Sequence, residues 1–279
     1  MRNMKKNDLF GLMMLAALTL MWGCSSSDDN NDDDVTPAQT ALRWTKTQGA
    51  PNWEIDWSGN DSPPQWTAPS PEKYETWMIL MVTLQPELVP YCTDDDLMAA
   101  FIDNELRALT GPGVKVGTNT KKVSFILKIM GNETADVKVN MTLKYYCSKL
   151  KQTFTITGNE LFLPEQVYGV DQDYIPNLLK GCPRYPVQMQ LSLLFPQPMP
   201  KELQPNAADI IAVMVGSDCR AMTTVGENLL ASPVNLMVSA KQEGEKGTIY
   251  YFSARENTVW NTGVTVDITS AAQHLMMKY

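Results

Sequence analysis

A chain of 279 residues with 44% hydrophobic and 19% charged side chains has room for one large or two ordinary domains and is too apolar to be globally disordered. Its formal charge is −8, and loss of a leader carrying Arg2, Lys5, Lys6 and Asp8 takes the basic and acidic counts from 23 and 31 to 20 and 30, net −10. That sign excludes a binder of nucleic-acid backbone and adhesion to anionic lipid through a basic patch.

Residues 1–23 read as an export signal: a basic start with Arg2, Lys5 and Lys6, then an apolar run from Leu9 to Trp22 too short to span a bilayer. The run ends in LTLMWGC. This resembles the lipobox of bacterial lipoproteins, in which the cysteine after a small residue is lipidated and becomes N-terminal on cleavage; Gly23 and Cys24 take those places, while Trp22 stands where a small residue is usual. The resemblance implies a membrane partner through a lipid anchor on Cys24; the alternative is an ordinary cleaved signal with an incidental cysteine. Acyl chains contribute about 0.8 kcal/mol per buried methylene, so several chains hold a protein essentially permanently.

Residues 24–40 follow as a tether. Ser25 to Val35, SSSDDNNDDDV, has five aspartates and nothing apolar before Val35, so it repels itself and buries nothing. A serine and aspartate cluster behind a lipidated cysteine also resembles the surface-export signal of Bacteroidetes lipoproteins, which implies an outer-membrane, cell-surface location.

Residues 41–180 are expected to form a first β-sandwich behind a leading segment rich in tryptophan and proline: Trp44, Trp53, Trp57, Trp66 and Trp77 among Pro51, Pro63, Pro64, Pro69 and Pro71. Proline at this density excludes helix and most central strands. The five indoles either lie on the flank of the domain behind them or form a platform for sugar rings. Trp77 to Leu84, WMILMVTL, reads as a buried strand, and Val187 to Phe195, VQMQLSLLF, as its counterpart in a second sandwich over 181–279.

The segment Asp96 to Thr110, DLMAAFIDNELRALT, recurs as Asp209 to Thr223, DIIAVMVGSDCRAMT, without a gap at a spacing of 113 residues (209 − 96). Asp103-Asn104 and Gly216-Ser217 occupy one position, and both pairs suit the positive φ of tight turns, so each copy is expected to be a β-hairpin. A plain two-residue turn sets Ile102 opposite Glu105 and Ala99 opposite Ala108, and likewise Val215 opposite Asp218 and Ala212 opposite Ala221. In that register Arg107 lies too far along the ladder from Asp96 for a direct pair, so the motif reads as architecture. Further strands are expected at 123–129, 136–146 and 152–157 in the first half and at 234–240, 247–252 and 258–260 in the second, with one or two helical turns at Ser270 to Lys278. Short strands at this spacing give an all-β chain, two tandem antiparallel immunoglobulin-like sandwiches, divided near Gly181 to Pro186, GCPRYP.

Little in the chain carries chemistry. His274 is the only histidine, which removes multi-histidine metal sites and leaves one residue as the base for any Ser-His or Cys-His arrangement. Asp94, Asp95 and Asp96 lack the alternation and glycine of a calcium loop. There is no phosphate loop or nucleotide fingerprint. No catalytic, metal or cofactor residue is assigned. Cys92, Cys147, Cys182 and Cys219 allow three disulfide pairings or none; the two copies do not share cysteines, so no bridge recurs in both.

The repeated motif resembles one found in tandem domains of exported Bacteroidetes proteins, where a D-x-x-A-A-F strand leads through a turn into an acidic residue, Cys, Arg and Gly. The first copy keeps Asp96, Ala99, Ala100, Phe101, Glu105 and Arg107; the second keeps Asp209, Ala212, Gly216, Asp218, Cys219 and Arg220. The resemblance implies location and domain type and carries no activity. The expectation is a non-enzymatic surface lipoprotein serving as an adhesion, scaffold or ligand-binding module, with a glycan or protein ligand. The alternative is a glycan-binding component of a polysaccharide-capture system using the tryptophan segment.

Overall fold

The computed structural model describes residues 45–115, 122–135, 137–195, 204–226 and 233–277. The leader, the tether, Cys24 and Trp44 lie outside the described residues.

The described residues form sixteen strands: β1 (Thr45–Gln48), β2 (Thr76–Thr83), β3 (Leu97–Ile102), β4 (Glu105–Thr110), β5 (Val114–Lys115), β6 (Val123–Gly131), β7 (Val137–Cys147), β8 (Gln152–Phe162), β9 (Val167–Tyr168), β10 (Val187–Leu194), β11 (Ile210–Val215), β12 (Asp218–Thr224), β13 (Val234–Ala240), β14 (Glu245–Ser253), β15 (Thr258–Ile268) and β16 (Gln273–Met276). They form sheets β5-β6-β2-β9 and β4-β3-β7-β8 in the first half, and β13-β10-β16 and β1-β15-β14-β11-β12 in the second. The duplication therefore extends through the topology. In immunoglobulin terms each repeat sets a B-E pair (β2-β6, β10-β13) against C′-C-F-G (β4-β3-β7-β8, β12-β11-β14-β15).

Alternation builds the two cores. In β2 it turns Met78, Leu80 and Val82 inward against Phe125 and Leu127 of β6; in β10 it does the same with Met189, Leu191 and Leu193. Cys182 and Tyr185 belong to the first core cluster and Val187 to the second. Gly181 is required there by close approach, since a Cβ would sit 1.8 Å from the Thr155 carbonyl oxygen.

Four expectations are corrected. The C-terminal stretch is a strand, β16, because Leu191 to Leu194 of β10 offer a free ladder edge to Gln273 to Met276. That pairing is parallel, as is β9 on β2, so the place beside B is filled in both repeats from the repeat's own C-terminal end and the sheets are not wholly antiparallel. The leading segment does not belong to the first sandwich alone: β1 pairs with β15 of the second. The hairpin register also differs. A β-bulge sets Ala100, not Ala99, opposite Ala108 and Phe101 opposite Leu106; in the second copy Val213 faces Ala221 and Met214 faces Cys219. The extra residue is Arg107 in one hairpin and Arg220 in the other. The turns match their sequences, with positive φ at both Asp103 and Asn104 and at Gly216 alone in the second copy.

The repeated aspartate closes one pole of each sandwich. Asp96 is fully buried and accepts from the Tyr145 hydroxyl (2.6 Å), the Ser148 backbone N–H (2.9 Å) and hydroxyl (2.9 Å), and the Thr93 N–H (3.2 Å) and hydroxyl (3.0 Å). Asp209, equally buried, accepts from the Tyr251 hydroxyl (2.5 Å), the Ala254 N–H (2.7 Å) and the Asn206 N–H (2.9 Å). The acidic loop thus divides, with Asp94 and Asp95 in solvent and Asp96 turned into the fold.

Asp96→Ala and Asp209→Ala are each expected to lower unfolding free energy by about 3–4 kcal/mol, because a buried phenol and two part-buried backbone N–H groups lose their acceptor. Tyr145→Phe should cost about 1–2 kcal/mol, and exposed Asp94→Ala less than about 0.5 kcal/mol. Urea titration measures all four; an Asp96→Ala loss no larger than that of Asp94→Ala would refute the assignment.

Candidate functional site

The leading segment is a strap that touches both sandwiches in turn. Gly49, with φ +105°, donates to the Asn257 carbonyl where β1 ends. The chain then passes Tyr250, where Trp53 makes an edge contact at 6.2 Å, and reaches the junction, where Trp57 meets Tyr185 edge-on at 5.5 Å. Gly59 and Asp61 donate to the carbonyls of Leu150 and Lys151, and the Asp61 carboxylate accepts from the Thr153 N–H (2.7 Å). Trp66 meets Phe101 at 6.0 Å on the outer face of the first sandwich.

The tryptophans consequently part company. Trp57 is 5% exposed and belongs to the first core. Trp53, Trp66 and Trp77 are half-buried, and the Lys128 ammonium lies 5.3 Å from the Trp77 ring. Among the described residues of the leading segment no two indoles make a ring contact with each other, and Trp53, Trp57, Trp66 and Trp77 sit against Tyr250, Tyr185, Phe101 and Lys128. They serve as separate rivets, each edge contact contributing about 0.5–1.5 kcal/mol beyond its area.

The bulged arginines hold the opposite pole from the aspartates. Arg107 donates to Glu105 (3.0 Å) and to the Met130 carbonyl (3.2 Å), pairs with Glu133 (3.3 Å), and lies 4.8 Å from the Tyr74 ring. Arg220 pairs with Glu245 (3.3 Å) and lies 4.9 Å from the Tyr185 ring. Tyr, Arg, acid and Glu recur together, yet the settings differ: the Arg220 side chain is 2% exposed at the junction, and Arg107 11% exposed at the free pole. Hydrogen bonds from Lys73 and Tyr74 hold the Glu105 carboxyl below its ordinary range. Arg184 ties the junction to the strap through Asp56 (2.7 Å) and the Ser58 carbonyl (3.0 Å).

Sequence reasoning paired the repeated Asp and Arg only to separate them, and missed their partners. The aromatic residues Tyr145 and Tyr251, at the same place in the two aligned strands, were the available signal. His274 lies exposed on β16 as the register partner of Ser192, whose hydroxyl donates to Asn235 (2.6 Å).

Among the described residues, three depressions lie near the strap, the β8 edge and the junction. A polar cleft of 630 Å³ lies between strap residues Asn60 to Pro63 and the turn after β7, with Asp95, Tyr146, Ser148 and Lys151 on its walls. Burial, then the Asp61 carboxylate, pushes the Tyr146 phenol up, so it stays a neutral donor. Asp61 already holds Thr153, which leaves Asn60, Ser62, Asp95 and Lys151 to meet a polar ligand. A groove of 320 Å³ runs between β8 and β9 over Met78, Leu80 and Met141. A third, of 220 Å³, lies at the junction between Trp57 and Met237.

The thiols are free and protonated. Burial pushes Cys92 up to about 12 and Cys219 up to about 11, and raises Cys147 and Cys182 as well. A nucleophilic role requires the thiolate, which these settings disfavour.

No protein-family model and no curated protein matches the chain. Among solved structures, the major pilin subunit BcpA of Bacillus cereus aligns at a TM-score of 0.18 and 11% identity, over 74% of this chain and 59% of that one. At that score the likeness carries no argument about fold or function.

Trp57→Ala is expected to lower stability by about 3–4 kcal/mol, and Trp77→Ala by about 1 kcal/mol, both read by urea unfolding. Equal losses would show that Trp57 is not a core residue. The thiols set an alkaline limit. Their pKa is about 8.5 in the unfolded chain and higher in the fold, so their contribution is complete below that pH and is lost as pH rises through 11 to 12. The urea midpoint should fall across that window, and Ellman's reagent should titrate these four cysteines only after unfolding.

Proposed function

We propose that this chain is a surface-exposed outer-membrane lipoprotein, anchored through Cys24 and spaced from the membrane by residues 24–40, that works as a non-enzymatic adhesion, scaffold or ligand-binding module. The observation that supports this reading most directly is the strap. Thr45 to Tyr74 carries contacts along both sandwiches, and Ala41–Tyr279 forms one unit rather than two. A braced pair of sandwiches suits a part that must present a surface at a distance.

The groups that could do chemistry are spent on architecture. Asp96 and Asp209 cap loops, Arg107 and Arg220 fill bulges, and among the described cysteines Cys147, Cys182 and Cys219 are buried thiols and Cys92 a half-buried one. The polar cleft beside the strap is the place for a ligand, with hydroxyl, amide, carboxylate and ammonium groups suited to a hydroxyl-rich or zwitterionic surface. Glycan capture remains the second reading because strap residues wall that cleft; the contact would then fall on Asn60, Asp95 and Lys151 rather than on a row of indoles.

Cys24→Ala is expected to move the chain from the membrane fraction to the soluble fraction and to abolish incorporation of labelled fatty acid. Persistence on the membrane would sink the lipoprotein reading. On arrays of glycans and host proteins, chain lacking residues 1–34 should be retained by a ligand and released when Asp95 and Lys151 are both replaced by alanine, at unchanged melting temperature. Retention indifferent to that double change would remove the cleft from consideration.

A further inference from the structure

The two sheets that carry the repeated hairpins have four edges, and three of them are blunted. β1 is polar and exposed throughout its described residues, TKTQ, with Lys46 on the edge, and β4 and β12 each bulge at an arginine. Such devices keep exposed ladders from joining other chains. β15, the counterpart of β8, is protected twice: β1 covers Thr258 to Asn261, and an irregularity with Gly263 at φ +69° breaks the ladder beyond.

β8 has no bulge, and the strap and Gly181 cover only its first part, Thr153 to Thr155. It pairs with β7 through eleven consecutive residues without a register shift, and its sequence, QTFTITGNELF, contains no proline and one charge, Glu160. The Thr153 N–H points away from β7, since it donates to Asp61, and Gly181 packs on the Thr155 carbonyl. By alternation the N–H and C=O groups of Thr157, Asn159 and Leu161 also point outward. Among the described residues no hydrogen bond reaches them. Leu161, with Val167, Tyr168, Val170 and Ile175 along the flanking segment, is between 45% and 58% exposed, forming an apolar border to the groove between β8 and β9.

We infer that two copies of this chain join edge to edge through β8, antiparallel about a two-fold axis at Asn159. This register is self-complementary. Thr157 faces the other copy's Leu161, and Asn159 faces Asn159. These three pairs, all of the hydrogen-bonded type, use every outward backbone group at those positions. The single charge on each strand, Glu160, accepts from Tyr174 of its own chain (3.1 Å) and falls opposite Gly158 of the other, so no like charges meet across the pair. The two four-stranded sheets become one of eight strands. The apolar border extends a contact that backbone pairing alone would leave short of the roughly 800 Å² per partner of a stable interface. An isologous pairing closes on itself and gives a dimer, not a fibre.

Sedimentation of the full chain in detergent tests the inference. The wild-type chain should form a dimer whose dissociation constant lies below about 100 µM. Asn159→Lys and Asn159→Glu each place like charges face to face on the axis and should weaken dimerisation by about fivefold or more, with melting temperature unchanged because Asn159 is exposed. An equimolar mixture of the two should recover the dimer as a heterodimer. A wild-type chain monomeric throughout that range overturns the inference, as does a dimer indifferent to either substitution or a mixture that does not recover. A monomer that instead captured an extended peptide of another protein at β8 would assign the edge to a foreign strand and equally overturn it.

Discussion

Two carboxylates taken out of water hold the fold at the points where local structure cannot. A buried carboxylate costs several kcal/mol unless its oxygens are filled, and the fold fills them with groups that would otherwise be stranded. Tyr145 supplies a phenol from the middle of the core; Thr93 and Ser148 supply N–H groups from loops about fifty residues apart in sequence. One side chain therefore fastens the entry to β3, the exit from β7 and the interior. Asp209 repeats the arrangement with Asn206, Tyr251 and Ala254. The exposed neighbours of Asp96 have no such duty.

The other pole depends on a change of count. An extra residue in β4 and in β12 lifts an arginine out of the ladder, where a regular strand would leave it in the alternation. The guanidinium then spans an acid in its own hairpin, a glutamate from the turn after the E strand, and a tyrosine ring ahead of the B strand. In the second repeat that ring belongs to Tyr185, which also packs in the first core and against Trp57. The same cluster that ends one sandwich thus becomes the joint between two.

Around that joint the strap supplies what short sandwiches lack. Each repeat closes the place beside its B strand with two to four parallel residues, a modest seal. Trp57 adds buried area to the first core, β1 lengthens a sheet of the second, and the extended, proline-rich backbone between them finds carbonyl and aromatic partners at every stage.

Alternation made the strands legible, because a buried strand must hide every second residue. The gapless recurrence of the Asp96 to Thr110 pattern made the duplication legible, and the Asp-Asn and Gly-Ser pairs marked the hairpin turns. The bulge was not legible. Ala99 and Ala100 are both alanine, so nothing in the residue types distinguishes the plain register from the bulged one; the requirement to place Arg107 among Glu105, Glu133 and Tyr74 decides it. The C-terminal residues 273–276 looked helical because their partner is a parallel strand over seventy residues earlier, which no local pattern can announce. The tryptophans were recognisable as a set, but whether indoles gather or scatter is settled only by which surfaces the strap crosses. The sequence by itself determined an all-β chain of two like repeats and an acidic, histidine-poor character without a recognisable catalytic set, since these follow from periodicity and composition. The tertiary structure alone decided that Asp96 and Asp209 cap rather than bind, that the leading segment braces both sandwiches, and that the outer edge of β8 beyond Thr155 is left open, since each depends on contacts between residues far apart in the chain.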